Sequence, residues 1–218
     1  HQKIENIFKN FSIKILVPSL LGHPYLLTWF HFDAFINLYE QNEYITHFIY
    51  LEDDIEITNE NFSYWLKSRN DLLSHDIIPS FLRIEYVDGE LEPRSTDVTN
   101  IVSFNAIPKF KLNENYYFLN LPQPYQGMYL FDRKLAYEYF FGASYSPDFG
   151  NWGIREKAAQ GLTFSKVRDG CYSRNFIGYY KTEGRIDPSA LIHHMPNNYA
   201  NDENSRHGKI FIKDLIID

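Results

Sequence analysis

The sequence predicts an α/β fold, a sandwich around a mostly parallel central sheet, and three observations lead there. Short β-rich runs alternate with stretches of helical length and periodicity. The run THFIYLE (46–52) is apolar almost throughout, as expected of a strand buried on both faces. The chain has 218 residues, 44% hydrophobic and 17% aromatic, enough for a single domain with a sizeable core and far from a disordered composition.

Each element has its own signal. IKILVPS (13–19) is a β-rich run stopped by Pro18, Ser19 and Gly22. HPYLLTWFHFDAFINLYEQN (23–42) reads as a helix with Pro24 in its first turn and Leu27, Phe30, Ala34 and Leu38 on one inward face. After the strand at 46–52, NENFSYWLKSRNDLL (59–73) is a helix capped by Asn59 or Asn61, with Phe62, Trp65 and Leu66 inward. SFLRIEYV (80–87) is a strand, and 88–115 holds hairpin-like material around IVSFNAI. QGMYLFD (126–132) is a strand, RKLAYEYFF (133–141) a helix, and NWGIREKAAQG (151–161) a helix closed by Gly161. A polar, loop-rich tail ends in the apolar IFIKDLI (210–216).

Composition narrows the function. A net charge of -7 and the lack of a basic face exclude nucleic acid as a partner. The one cysteine, Cys171, excludes an internal disulfide and a cysteine zinc cage, and it fits a reducing, cytoplasmic compartment. No apolar run approaches the ~20 residues of a membrane span. The chain opens without Met and without a signal peptide, which reads as a fragment that lacks N-terminal residues.

The sharpest feature is Glu52-Asp53-Asp54 at the end of the apolar strand. Adjacent carboxylates repel one another, so they either stand in water or hold a cation. Their place at the carboxyl end of a strand, where α/β sheets bind ligands, favours the cation. Hard oxygen ligands suit Mg²⁺ or Mn²⁺. Other candidates follow. In LIHHMPNNYAND (191–202), His193 and His194 point to opposite faces of a strand, so one of them faces a cleft. Asn197, Asn198 and Tyr199 either build a turn or bind sugar hydroxyls. In FLRIEY (81–86), Arg83 and Glu85 share a strand face, and a plain ion pair accounts for them. Gly127, within a strand pattern, signals the close approach of another group. His23 and Trp29 lie near a helix entry.

Taken in order over residues 22–210, GHPYLLTW, YLEDDIEI, QPYQGMYLFD, WGIREKAA and HHMPNNYAND resemble the GT-A-fold glycosyltransferases. The wider pattern resembles a group of uncharacterised bacterial and viral-type members, and the acidic segment is especially similar to that of the N-acetylglucosaminyltransferase that initiates complex N-glycans. That resemblance implies a GT-A-like, Rossmann-like αβα sandwich and a nucleotide-sugar donor with a glycan or other hydroxyl acceptor. It implies Mn²⁺ or Mg²⁺ held by Asp54, with His194 the favoured histidine ligand, and Glu52 and Asp53 reaching the ribose or metal-bound water. Glu156 takes the place of the base that deprotonates the acceptor, which makes the enzyme inverting. Arg155 is matched to a diphosphate or acceptor anion, and Trp152 is either a sugar platform or core. Gln126, Gly127 and Tyr125 fall in the stretch that lines the donor and acceptor pockets, with packing the simpler account of Tyr125. One departure concerns length: the family places ~100 residues before its metal motif, and 51 precede Glu52 here. The base-recognition units are then upstream, supplied by another chain, or reduced. A metal-dependent phosphohydrolase or nucleotidyltransferase and a catalytically silent carbohydrate-binding domain are the alternatives.

Overall fold

The computed structural model describes residues 15–17 and 24–218. His23, Gly22 and most of the expected strand at 13–19 lie outside the described residues; 15–17 are exposed and form no strand. A 3-10 turn (Pro24–Trp29) runs into helix α1 (His31–Gln41). Strands β1 (His47–Leu51) and β2 (Ile55–Glu56) bracket the acidic triplet, and α2 (Asn59–Asp71) follows. Next come β3 (Ile78–Pro79), β4 (Leu82–Glu85), β5 (Arg94–Ser95), β6 (Val102–Ser103), β7 (Lys109–Lys111) and β8 (Tyr116–Leu119). Strand β9 (Met128–Asp132) leads into α3 (Arg133–Phe140). The remainder comprises β10 (Asn175–Tyr180), β11 (Arg185–Ile186), β12 (Leu191–His194), the one-turn helix α4 (Asn198–Asn201), β13 (Ile210–Phe211) and β14 (Ile216–Ile217).

This architecture corrects the expected mostly parallel, GT-A-like αβα sandwich. The chain is mixed α/β but rich in short strands, which form several sheets with mainly antiparallel pairing. One sheet runs β13-β5-β4-β12-β2, and a second β11-β10-β8-β7 with β3 alongside β10. Parallel pairing is confined to β3–β10, β4–β12 and β6–β14 among the described residues. Among the described residues the apolar β1 pairs only with β9, antiparallel, and Ile49 stays partly exposed. Its hydrophobic run reflects packing under helices rather than a place in the middle of a parallel sheet. A parallel sandwich also needs crossover helices, and the described residues supply four helices, one of them a single turn.

The missing crossover helix is the one expected at 151–161. Only Glu156–Ala159 coils there, as a 3-10 turn. Gly150 and Gly161 both take positive φ, and a Cβ on Gly150 would fall 1.9 Å from Gln160 Oε1. The segment therefore closes on itself instead of propagating, and Trp29 Nε1 donates to the Ile154 carbonyl at 2.7 Å to hold it down.

Two helices differ in detail from their sequence patterns. On α1 the inward residues are Trp29, just before it, and Phe32, while Leu27 and Leu38 are exposed. On α2 the cap is Thr58, whose side chain accepts from Asn61 N while Asn61 Oδ1 accepts from Thr58 N. That reciprocal pair puts Trp65 inward and turns Leu66 out. The core gathers Phe48, Trp65, Met128, Phe131, Leu135 and Tyr139. No helix among the described residues is long and apolar enough to cross a membrane.

Trp65 is 1% exposed and Leu66 37%, so the two neighbours should respond differently to truncation. Trp65→Ala should cost about 3–5 kcal/mol, and Leu66→Ala under about 1 kcal/mol, as measured by urea unfolding. Similar losses at both positions would contradict this helix orientation.

Candidate functional site

Why three carboxylates can sit in a row is answered by the turn that carries them. Ile55 N donates to Glu52 O at 3.2 Å, closing a tight turn between β1 and β2 that splays the side chains. Glu52 turns inward, where its carboxylate accepts from Tyr125 OH at 2.6 Å and stands 4.0 Å from an Arg83 guanidinium nitrogen. Asp53 is exposed. Asp54 turns toward β12, and Met195 N, just past the end of that strand, donates to the Asp54 carbonyl at 2.9 Å. All three line one cleft of about 850 Å³.

The sheet order explains what Asp54 meets. Strand β12 lies between β4 and β2, parallel to the first and antiparallel to the second, with His194 opposite Ile55. Three ionisable side chains from distant parts of the sequence thereby fall in line. His194 Nε2 faces Asp54 Oδ2 at 3.3 Å, and its Nδ1 makes a short contact with Glu85 Oε1. His193 points to the opposite face, 3.3 Å from Glu56. The other Asp54 oxygen, Oδ1, is screened from solvent and has no hydrogen-bond partner.

Arg83 forms the cleft floor. Its Nε and one terminal nitrogen donate to Asp97 at 2.8 and 2.9 Å, and it lies 4.7 Å from the centroid of the Tyr125 ring. Burial opposes its charge, and the Asp97 hydrogen bonds hold it ionised. The supposed Arg83–Glu85 pair is thus replaced by two separate partnerships, Arg83 with Asp97 and Glu85 with His194.

Trp152, Arg155 and Glu156 complete the walls. Tyr125, Trp152 and Phe164 meet edge to face, with centroids 4.9 and 4.8 Å apart, and make one aromatic surface. Arg155 donates to Glu156 Oε1 at 3.0 Å. A Cβ on Gly153 would fall 2.6 Å from Glu156 Oε2, so the glycine leaves room for the carboxylate. Asn198 and Tyr199 also line the cleft.

Other candidates are placed elsewhere. Gln126 is buried, and its Oε1 accepts from Phe81 N at 2.9 Å instead of lining the cleft. Gly127, at φ +63, admits Glu52: its carbonyl accepts from Glu52 N, and a Cβ would fall 2.7 Å from Glu52 Oε2. The close approach is by this chain's own side chain. Asn197, also at positive φ, uses its side-chain oxygen on Tyr86 N at 2.9 Å. Trp29 is a buried prop. Sequence reasoning missed Asp97, Arg206 and His207 as cleft residues. It read the two charges alternating in an apolar strand, Arg83 and Glu85, as a pair with each other rather than as a sign of separate buried partners.

Among the described residues no three His, Cys, Asp or Glu side chains are grouped to hold a metal ion. Asp54 and His194 form a two-residue platform. That number suits Mg²⁺ or Mn²⁺, which keep waters and substrate phosphates as their remaining ligands. The orphaned Asp54 Oδ1, on a carboxylate whose other oxygen faces a histidine held at its far nitrogen by Glu85, fits a cation. Comparison with protein-family models, with curated proteins and with solved structures finds no match.

Burial raises the Glu52 carboxyl above its ordinary value, against the lowering effect of Tyr125 and Arg83. A raised carboxyl leaves the folded state most favoured while Glu52 is protonated, and that advantage is lost as pH climbs through the folded value. Glu52→Gln copies the protonated form and still accepts from Tyr125. It should melt higher than wild type at neutral pH, with the gap closing near pH ~4. A gap that widens on acidification would contradict the shift.

Proposed function

We propose that this chain is a metal-dependent glycosyltransferase that moves a sugar from a nucleotide-sugar donor to a hydroxyl of a glycan or other acceptor, with inversion at the anomeric carbon. The observation that carries the reading is the Asp54–His194 pair at the cleft edge, with one Asp54 oxygen shielded and without a partner. The resemblance of the five ordered motifs to glycosyltransferases supports the substrate class.

Asp54 and His194 would hold the divalent ion. When bound, the ion neutralises charge on the departing nucleoside diphosphate. Glu156 accepts the proton of the acceptor hydroxyl at its Oε2, since Oε1 is engaged by Arg155. The freed acceptor oxygen bonds to the anomeric carbon as the bond from that carbon to the diphosphate oxygen breaks. Arg155, exposed at the cleft wall, is placed for an anionic group on either substrate. The aromatic surface of Tyr125, Trp152 and Phe164 offers a face to a sugar ring and excludes water from one side. Glu52 serves by shape: tied to Tyr125, it anchors the turn that aims Asp54.

Thermal melts with Mn²⁺ and a panel of nucleoside diphosphates test this reading. A diphosphate should stabilise the protein only with the metal present. Asp54→Ala should abolish that shift and turnover while leaving the apo melt near that of wild type. Stabilisation by free sugar alone, with no metal effect, would overturn the assignment in favour of a binding module. Glu156→Gln should lower turnover about 10²–10⁴-fold with donor-induced stabilisation retained, and undiminished turnover would remove Glu156 from the base role.

A further inference from the structure

We propose that Glu85 is the positioning residue that fixes the tautomer of His194, keeping the proton on Nδ1 and turning the Nε2 lone pair toward Asp54 as a cation ligand. The ligand role rests on the metal-dependent reading of the cleft; the tautomer does not.

Glu85 is fully buried at the end of β4, a costly place for a carboxyl group without partners. Both of its oxygens are engaged. Oε2 accepts from Ala200 N at 2.6 Å, and Oε1 meets His194 Nδ1. A backbone N–H can only donate, so Oε2 is fixed as an acceptor and the group cannot turn over. The parallel β4–β12 pairing sets Glu85 beside His194. The Tyr199 ring lies nearly parallel to the imidazole, at 20° and 5.5 Å.

The two sides of the ring differ. Nδ1 is within hydrogen-bond reach of Glu85 Oε1, while Nε2 and Asp54 Oδ2 are 3.3 Å apart, longer than the usual ~2.9 Å of a nitrogen–oxygen hydrogen bond. With the proton on Nδ1, the lone pair of Nε2 and the carboxylate of Asp54 confront each other with no hydrogen between them. A divalent cation relieves that confrontation. A carboxylate holding the far nitrogen of a ligating histidine both orients the ring and raises its basicity.

Glu85→Gln is a nearly isosteric test with a sharp consequence. Ala200 N–H still requires an acceptor, so the amide oxygen must face Ala200 and the NH₂ must face His194. Nδ1 then has to accept, which moves the proton to Nε2 and sets it against Asp54. Long-range proton–nitrogen correlation spectra of the metal-free full chain at neutral pH read this directly. The expected result is a proton on Nδ1 in wild type and on Nε2 in Glu85→Gln. In parallel, Mn²⁺ titration followed by electron paramagnetic resonance should show affinity reduced about 10–100-fold in the variant, with His194→Ala as the reference for loss of the ligand. A role in packing alone would leave the tautomer unmoved.

A wild-type His194 protonated on Nε2, or on both nitrogens, overturns the proposal without recourse to any variant. So does a Glu85→Gln spectrum that keeps the Nδ1 proton, or a switched tautomer with undiminished Mn²⁺ affinity. Wild type that binds no Mn²⁺ but shows the expected switch sinks the metal reading of the cleft and upholds the control of His194 by Glu85.

Discussion

His194 ends β12 with a carboxylate at each of its nitrogens, because β12 is paired parallel to β4 on one side and antiparallel to β2 on the other. That register is the constraint on which the cleft depends. Glu85 is fully buried and His194 nearly so, and neither is tolerable away from water without its partner. The Glu85–His194 contact thus ties β4 to β12, strands that would otherwise share only a few backbone hydrogen bonds. The acidic turn takes its aim from the main chain: Met195 N holds the Asp54 carbonyl just past the end of β12, and Glu52 falls against Tyr125 and Arg83 on the inner side.

Two other buried arginines, Arg69 and Arg174, belong to ion pairs that act as scaffolding. Arg69 reaches Asp132 at 2.7 Å, and Asp132 also caps α3 through Leu135 N, so one carboxylate joins α2 to α3. Arg174 grips Glu138 through two nitrogens at 2.6 and 3.0 Å, tying β10 to α3. Breaking such a pair strands a charge, at a cost of about 3–5 kcal/mol. These groups are satisfied within the protein. Asp54 differs because one of its oxygens is shielded and unengaged. The contrast separates ionic scaffolding from the cleft more clearly than the presence of charge does.

Local features were legible in the sequence where local physics decides them. The strand at β9, the helix after it and the turn at Glu52–Asp54 follow from hydrophobic run, capping and charge. The alternation rule puts His193 and His194 on opposite faces of β12. Sheet class was not legible, because an apolar run such as 46–52 looks the same whether a parallel sheet or overlying helices cover it. The stretch 151–161 misled for a related reason: its helical composition is overridden by two glycines at positive φ and by tertiary contacts from Trp29 and Gln160. The partners of Arg83 and Glu85 lie 14 and 109 residues away, and no spacing rule reaches that far. Two charges on one face of a short apolar strand, however, were a sign that buried partners exist.

The charge balance of the cleft bears on the uptake of a diphosphate donor that the proposed function requires. Arg83 is committed to Asp97 and Arg155 to Glu156, so two of the cleft's cations are neutralised within the protein. Asp53 has no ion-pair partner among the described residues, and Asp54 has only a histidine. A diphosphate entering this environment alone would meet net negative charge in a chain that is already acidic overall. Coulomb repulsion between groups a few ångströms apart amounts to several kcal/mol at the effective dielectric of a protein surface. Only added positive charge at the Asp54 edge reverses that sign. Under the proposed function, metal and donor would be coupled ligands, each raising the affinity for the other by the same factor, and the acidic triplet would admit phosphate only when a cation accompanies it.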